Sequence, residues 1–229
     1  GVYNIYIPLF GLLIAILCNL VFFSKERAGN RETEIFSREL IYSMLDSILM
    51  VTIICLALFK PEKIKLLEFL NKCDYIMYIL FISNLFLYVY YVTSKANSLK
   101  KNKCYNILFW LTTIIDMIFI ILVLFMKVVV HFNNNKLYSD GIALNFTIIV
   151  CALYILAIVF CLTLNLKKAI SKKLAPLYIL ILFFVLFYIL NQVDKTIVII
   201  SAVLAYNNLI MLITIENPDV KMIRELEVA

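Results

Sequence analysis

Two carboxylates, Asp46 and Asp116, stand inside long apolar stretches of this 229-residue chain. A charge within a membrane span is costly enough to mark a functional site by default. Three amides fall at similar depths in other apolar stretches: Asn84 and the adjacent Asn207 and Asn208. Together the five side chains could form a mid-membrane pocket or relay that binds a small ligand or an ion. The plainer alternative is that they hydrogen-bond across helices, each adding roughly 0.6 kcal/mol. Asp46 follows Glu39 by seven residues and shares its helix face. Arg38 and Glu39 fall near the end of their stretch, where they are expected to reach water. Thr112 and Thr113 precede Asp116 by about one turn on its own face.

Other chemistry is poorly supplied. His131 is the single histidine, and no CxxC pair occurs, so no metal site is expected. Cys18, Cys55, Cys104, Cys151 and Cys161 fall in or beside apolar stretches, where cysteine acts as a small hydrophobe. Neither a glycine-rich phosphate loop nor a nucleophile elbow is present. The outer candidate is the polar run His131–Gly141, in which Tyr138 and Gly141 could contribute to a sensing surface. Val128–Val130 before it and the turn signal Asp140-Gly141 predict a small hairpin capping the molecule. An ordinary connector is the simpler reading.

These groups need apolar elements to hold them. The chain is 64% hydrophobic and 16% charged, against about 45–50% and about 25% for a soluble domain, which makes it an integral membrane protein. Its apolar blocks are about twenty residues long, the length at which one helix crosses a hydrocarbon core. Seven spans are predicted: Tyr3–Phe23, Ile35–Phe59, Tyr75–Val92, Cys104–Met126, Asn145–Leu164, Pro176–Val193 and Thr196–Ile215. The fold class is therefore an all-α polytopic bundle of seven transmembrane helices, multi-pass in the cell membrane. Residues 1–215 form the membrane domain, and 216–229 begin a charged helix. The first span has no basic flank or small-residue cleavage pattern and is not a signal peptide.

Cytoplasmic loops carry the excess of lysine and arginine. One set of connectors holds Lys25, Arg27, Arg31, Arg38, Lys95, Lys100, Lys101, Lys103, Lys167, Lys168, Lys172, Lys173, Lys221 and Arg224. The other holds Lys60, Lys63, Lys65, Lys72, Lys127, Lys136 and Lys195. That asymmetry puts the N-terminus outside and the C-terminus in the cytoplasm. Ile64, Leu67 and Leu70 among the lysines of the connector 60–74 predict a short amphipathic helix on the outer surface. The net charge of +6 is explained by topology. The lipid bilayer, with its anionic headgroups, is then the partner and no nucleic acid is expected.

Beyond the last span, Asn217-Pro218-Asp219 reads as a helix start, with proline and an acid in the first turn. Val220, Ile223 and Leu226 continue at three-residue steps. The helix is unfinished at Ala229 and the chain begins at Gly1, so an output module is expected to follow. The string Thr214-Ile215-Glu216-Asn217-Pro218-Asp219-Val220-Lys221-Met222-Ile223-Arg224-Glu225-Leu226 resembles the membrane exit of a group of multi-span sensor histidine kinases from low-GC Gram-positive bacteria. Asn134 to Asn145, with Tyr138, Ser139 and Gly141, is similar to the outer loop of that family, and Phe22-Phe23-Ser24-Lys25 is similar to its first exit. The resemblance implies that Glu216, Asn217, Pro218 and Asp219 transmit a signal to a kinase core absent from this segment. It also implies a homodimer, a response regulator as partner, and ATP with Mg in the absent core. No cofactor and no catalytic residue are expected within the segment itself. Two rival functions stay open: input to a cyclic-dinucleotide synthase, and a small transporter or permease. Against the transporter stand the lack of an internal repeat and the presence of only four glycines and four prolines.

Overall fold

The structure, a computed structural model, describes residues 5–24, 30–94, 97–133, 136–169, 174–194 and 199–215. These form α1 (Tyr6–Phe23), α2 (Arg31–Phe59), α3 (Ile64–Thr93), α4 (Ser98–Phe125), β1 (Val129–Asn133), β2 (Lys136–Asp140), α5 (Ile142–Leu164), the single turn α6 (Leu166–Ala169), α7 (Ala175–Val193) and α8 (Ile200–Ile215). The chain is all-α apart from one hairpin. Helices are what lipid permits, since each satisfies its backbone polar groups internally. Five of them, α1 to α5, are long and apolar enough to cross a membrane. The apolar stretches of α7 and α8, Pro176–Leu190 and Ile200–Thr214, are shorter.

Helix α2 starts before the predicted Ile35 because Asn30 caps it. The Asn30 Oδ1 accepts from the Thr33 amide at 2.8 Å, and Glu32 and Glu34 occupy the positive first turn. The predicted amphipathic surface helix does not exist as a separate element. Ile64 to Lys72 are the first turns of α3, which continues unbroken to Thr93. Leu67 is buried with Ile53 and Ala57 of α2, against Val130 and Leu137 of the hairpin. Lys72, expected among surface lysines, donates to the Leu124 carbonyl at 2.8 Å and so caps the C-terminal end of α4.

The predicted hairpin is present, pairing antiparallel from Val129 with Asp140 to Asn133 with Lys136. The strands are joined through residues 134–135, which lie outside the described residues, and Asp140-Gly141 stands past the end of the second strand. Gly141 instead makes the corner into α5, with φ of 126°. A Cβ there would lie 2.7 Å from the Lys127 carbonyl oxygen, which accepts from the Ala143 amide. Only glycine serves at that corner.

Helix α3 is the centre, packed by α2, α5 and α4, while α1 and α8 pair beside α2 and α7 lies on α8. Most of α4 is peripheral: Ile107, Trp110, Ile114 and Ile118 are exposed, as lipid contact requires. Where α1 meets α8, a Cβ on Gly11 would be 2.8 Å from the Ala202 Cα, a backbone approach open to small residues only. We therefore expect Gly11→Val to destabilise the bundle by about 1–3 kcal/mol through overpacking. Denaturant unfolding of the micelle-solubilised chain reads this directly, and unchanged stability would refute the α1–α8 contact.

Candidate functional site

The polar residues inside the bundle fall into three groups. The largest centres on Asn84 of α3. Its Nδ2 donates to the Ile35 carbonyl at 2.9 Å and to Glu39 Oε2 at 2.5 Å. Its Oδ1 accepts from Arg38 Nε at 3.1 Å. Arg38 further donates to Tyr105 Oη at 2.5 Å and to Glu34 at 3.1 Å, and lies over the Phe109 ring at 5.0 Å. Glu39 was expected to reach water but is only 1% exposed. Its place on the inward face of α2, bonded to Asn84 of α3 and with Asn208 of α8 on its carbonyl, closes off solvent. Asn208 of α8 donates to the Glu39 carbonyl at 3.2 Å, and Asn19 of α1 to the Leu40 carbonyl at 3.0 Å. Thus α1, α3 and α8 are all bonded to one stretch of α2.

The second group belongs to Asp116 of α4. Ser83 of α3 and Tyr154 of α5 each donate to one of its carboxylate oxygens at 2.5 Å. Thr112 and Thr113, one turn earlier, both donate back to the Phe109 carbonyl. A cavity of about 170 Å³ joins these first two groups, with Arg38, Tyr42, Ser83, Asn84, Thr112 and Asp116 on its wall. A cation and a carboxylate therefore face one polar space between α2, α3 and α4.

The third group is nearer the hairpin. Asp46 of α2 faces Asp74 of α3, with Tyr78 and Ser201 beside them. All four polar ends are deeply buried. Neither oxygen of Asp46, nor Asp74 Oδ1, nor the Ser201 hydroxyl has a hydrogen-bond partner among the described residues. Two acids side by side in one low-dielectric site favour a proton or a cation shared between them, with the Tyr78 and Ser201 hydroxyls as the nearest donors.

The five residues predicted to share one pocket are thus divided. Asn84 and Asp116 line a common cavity, and Asn208 joins it through Glu39. Asp46 lies some two turns along α2, about 10 Å from Glu39 by helix rise, and in a different group. The Asn207 amide reaches only Met211 of its own helix, at 3.5 Å. Tyr138 stacks on His131 with ring centroids 4.8 Å apart, and Gly141 is a corner rather than a contact surface. Glu216, Asn217, Pro218 and Asp219 lie outside the described residues. Among the described residues, no group of three His, Cys, Asp or Glu side chains is arranged to hold a metal.

Asp74 was missed by the sequence reading, which placed it in a connector because of the lysines around it. The signal was present in the helical spacing of Leu67, Asn71, Asp74 and Tyr78, which extends the face of span three toward the hairpin. Ser83, Tyr105 and Tyr154 carried no signal, since a hydroxyl in a span is unremarkable until its partner is known.

A scan against protein-family models gives no match, and a search of curated proteins gives no significant one.

The bonds around Asn84 yield a stability prediction. Asn84→Leu removes the donor to Glu39 and the acceptor of Arg38 while keeping the volume, and should cost about 2–3 kcal/mol. Glu39→Gln, which retains a hydrogen-bonding oxygen, should cost less than half as much. Equal losses in the two variants, measured by denaturant unfolding, would show that the carboxylate–amide bond is not the stabilising feature.

Proposed function

We propose that this chain is the membrane input domain of a sensor histidine kinase, with all seven long helices spanning the cell membrane. The hairpin then faces outward and the segment after Ile215 enters the cytoplasm. The observation that carries the reading is the sequence of that segment, Thr214 to Leu226, which continues α8 and resembles the transmission segment of such kinases. The position of α8 supports it. This helix packs on α1, α2 and α7 and is tied to α2 by Asn208, so displacement of its N-terminal end under the hairpin travels to the residues that follow it. A two-state element of this kind is the minimum that a transmembrane signal needs. Kinase output is regulated within a dimer, and the phosphoryl group passes to a response regulator.

Topology and output are tested separately. On a cysteine-free background, Asn135→Cys, between the two strands in sequence, should react with a membrane-impermeant maleimide in intact cells, whereas Val220→Cys should react only after lysis. Labelling of both from the same side would overturn the odd span number. In the full-length parent, replacing Asn217 and Pro218 by alanine should abolish stimulus dependence of autophosphorylation while leaving ATP turnover by the isolated core intact. Unchanged regulation sinks the transmission role. Substrate uptake by proteoliposomes, lost in Asp116→Asn, would instead establish the permease.

A further inference from the structure

A second cavity, of about 120 Å³, lies under the hairpin between α3, α5, α7 and α8. Six aromatic side chains line it: Tyr75 and Tyr78 from α3, Tyr138 from β2, and Phe184, Phe187 and Tyr188 from α7. Asp74 is also on its wall, 1% exposed and with Oδ1 unpartnered among the described residues. Asp46 lies behind it with both oxygens in the same condition. Three of the polar groups nearby are committed elsewhere, and the Tyr78 hydroxyl lies beside the two acids. The Asn71 amide donates to the Leu67 carbonyl at 2.8 Å, the Thr147 hydroxyl to the Ala143 carbonyl at 2.8 Å, and the Tyr75 hydroxyl is bonded to Ser139 at 2.6 Å. No lysine, arginine or histidine is among the described residues that line it.

Such a wall discriminates by charge. An anion would meet two acids and the negative faces of aromatic rings. A neutral molecule would leave Asp74 unmet, and a divalent metal would find no third acid and would leave the aromatic surface unused. A small organic cation answers both features, because its charge pairs with the carboxylate and its alkyl groups lie against rings that attract cations. Size limits it further: a cavity of about 150 Å³ accommodates benzene, so this one suits a head of similar or smaller size. We propose that the chamber under the hairpin binds a small organic cation, a methylated or simple alkylammonium group, held by Asp74 within the aromatic wall. Its role as a stimulus rests on the sensor reading above, whereas binding itself does not.

The two are separated by measuring binding on the chain alone, in nanodiscs of neutral lipid. Choline and tetramethylammonium are the probes, titrated calorimetrically beside the carbon analogue of choline, in which a tert-butyl group replaces trimethylammonium. The charged probes should bind at least about tenfold more tightly than the neutral one. Asp74→Asn should remove at least tenfold, and Phe187→Leu several-fold, with the ligand-free melting temperature of Phe187→Leu close to that of the parent chain. Equal affinity for charged and neutral probes, no binding by the folded chain, or sodium competing with an affinity indifferent to Phe187→Leu would each overturn the proposal. Should Asp74→Asn fail to fold, the probe pair and Phe187→Leu still decide. Binding that leaves autophosphorylation of the full-length parent unchanged would sink the sensor reading and leave the site standing.

Discussion

A carboxylate placed within a helix bundle in lipid must find its donors on neighbouring helices, because the surrounding hydrocarbon supplies none. Glu39 meets that requirement through Asn84, and Asp116 through Ser83 and Tyr154. Four of these five groups sit on different helices, and two successive residues of α3, Ser83 and Asn84, serve both acids. That pair fixes the rotation of α3 about its axis and, with it, the faces that α2, α4 and α5 turn inward. Packing among apolar side chains could be satisfied by several small rotations. Donor geometry at 2.5–3.1 Å could not.

The remaining architecture follows from what α3 leaves open. Its hairpin-end turns lie beside the last turns of α2 and bury Leu67 against the sheet, so the hairpin is seated on a helix rather than floating on a loop. The Tyr75–Ser139 bond and the Gly141 corner hold the second strand from either side. On the far flank of α2, α1 and α8 approach so closely at Gly11 and Ala202 that they behave as a pair. Helix α4, tied through Asp116, the Arg38–Tyr105 bond and the Lys72 cap, turns Ile107, Trp110, Ile114 and Ile118 outward. The cavity lined by Arg38 and Asp116 lies beneath it.

Much of this organisation was legible in the sequence. Apolar length located the helices, and valine-rich residues before a polar run located the hairpin, because span length and β-branching act locally, whereas the turn signal at Asp140-Gly141 marks the corner into α5 instead. Burial of Asp46 and Asp116 was legible for the same reason. What the sequence hid was pairing. Asp74 looks like a connector residue until α2 and α3 are set side by side, and Lys72 looks like a surface charge until the end of α4 is found above it. The expected single pocket failed because depth in a span says how far along an axis a residue lies and nothing about its rotation. Asp46 and Asn84 share a depth range yet belong to different partners.

The alignment of α2 with α8 bears on how a signal could cross. The two helices run antiparallel, and Ser201 lies beside Asp46 as Asn208 lies against Glu39. Both residues are seven positions apart on their own helix, so the acid pair and the Asn208 bond share one register. A cation entering the aromatic chamber would neutralise the Asp46–Asp74 pair and change what Ser201 faces. Because α8 is a rigid rod, any slide or turn that answers this change must also strain the Asn208 bond two turns away, close to where Thr214 and Ile215 leave the bundle. A bond that holds in only one register resists continuous sliding of the helix, and discreteness is what distinguishes a switch from compliance. On the proposed reading, then, Asn208 is the latch and the acid pair the trigger. Neither the latch nor the trigger needs catalytic power for that role.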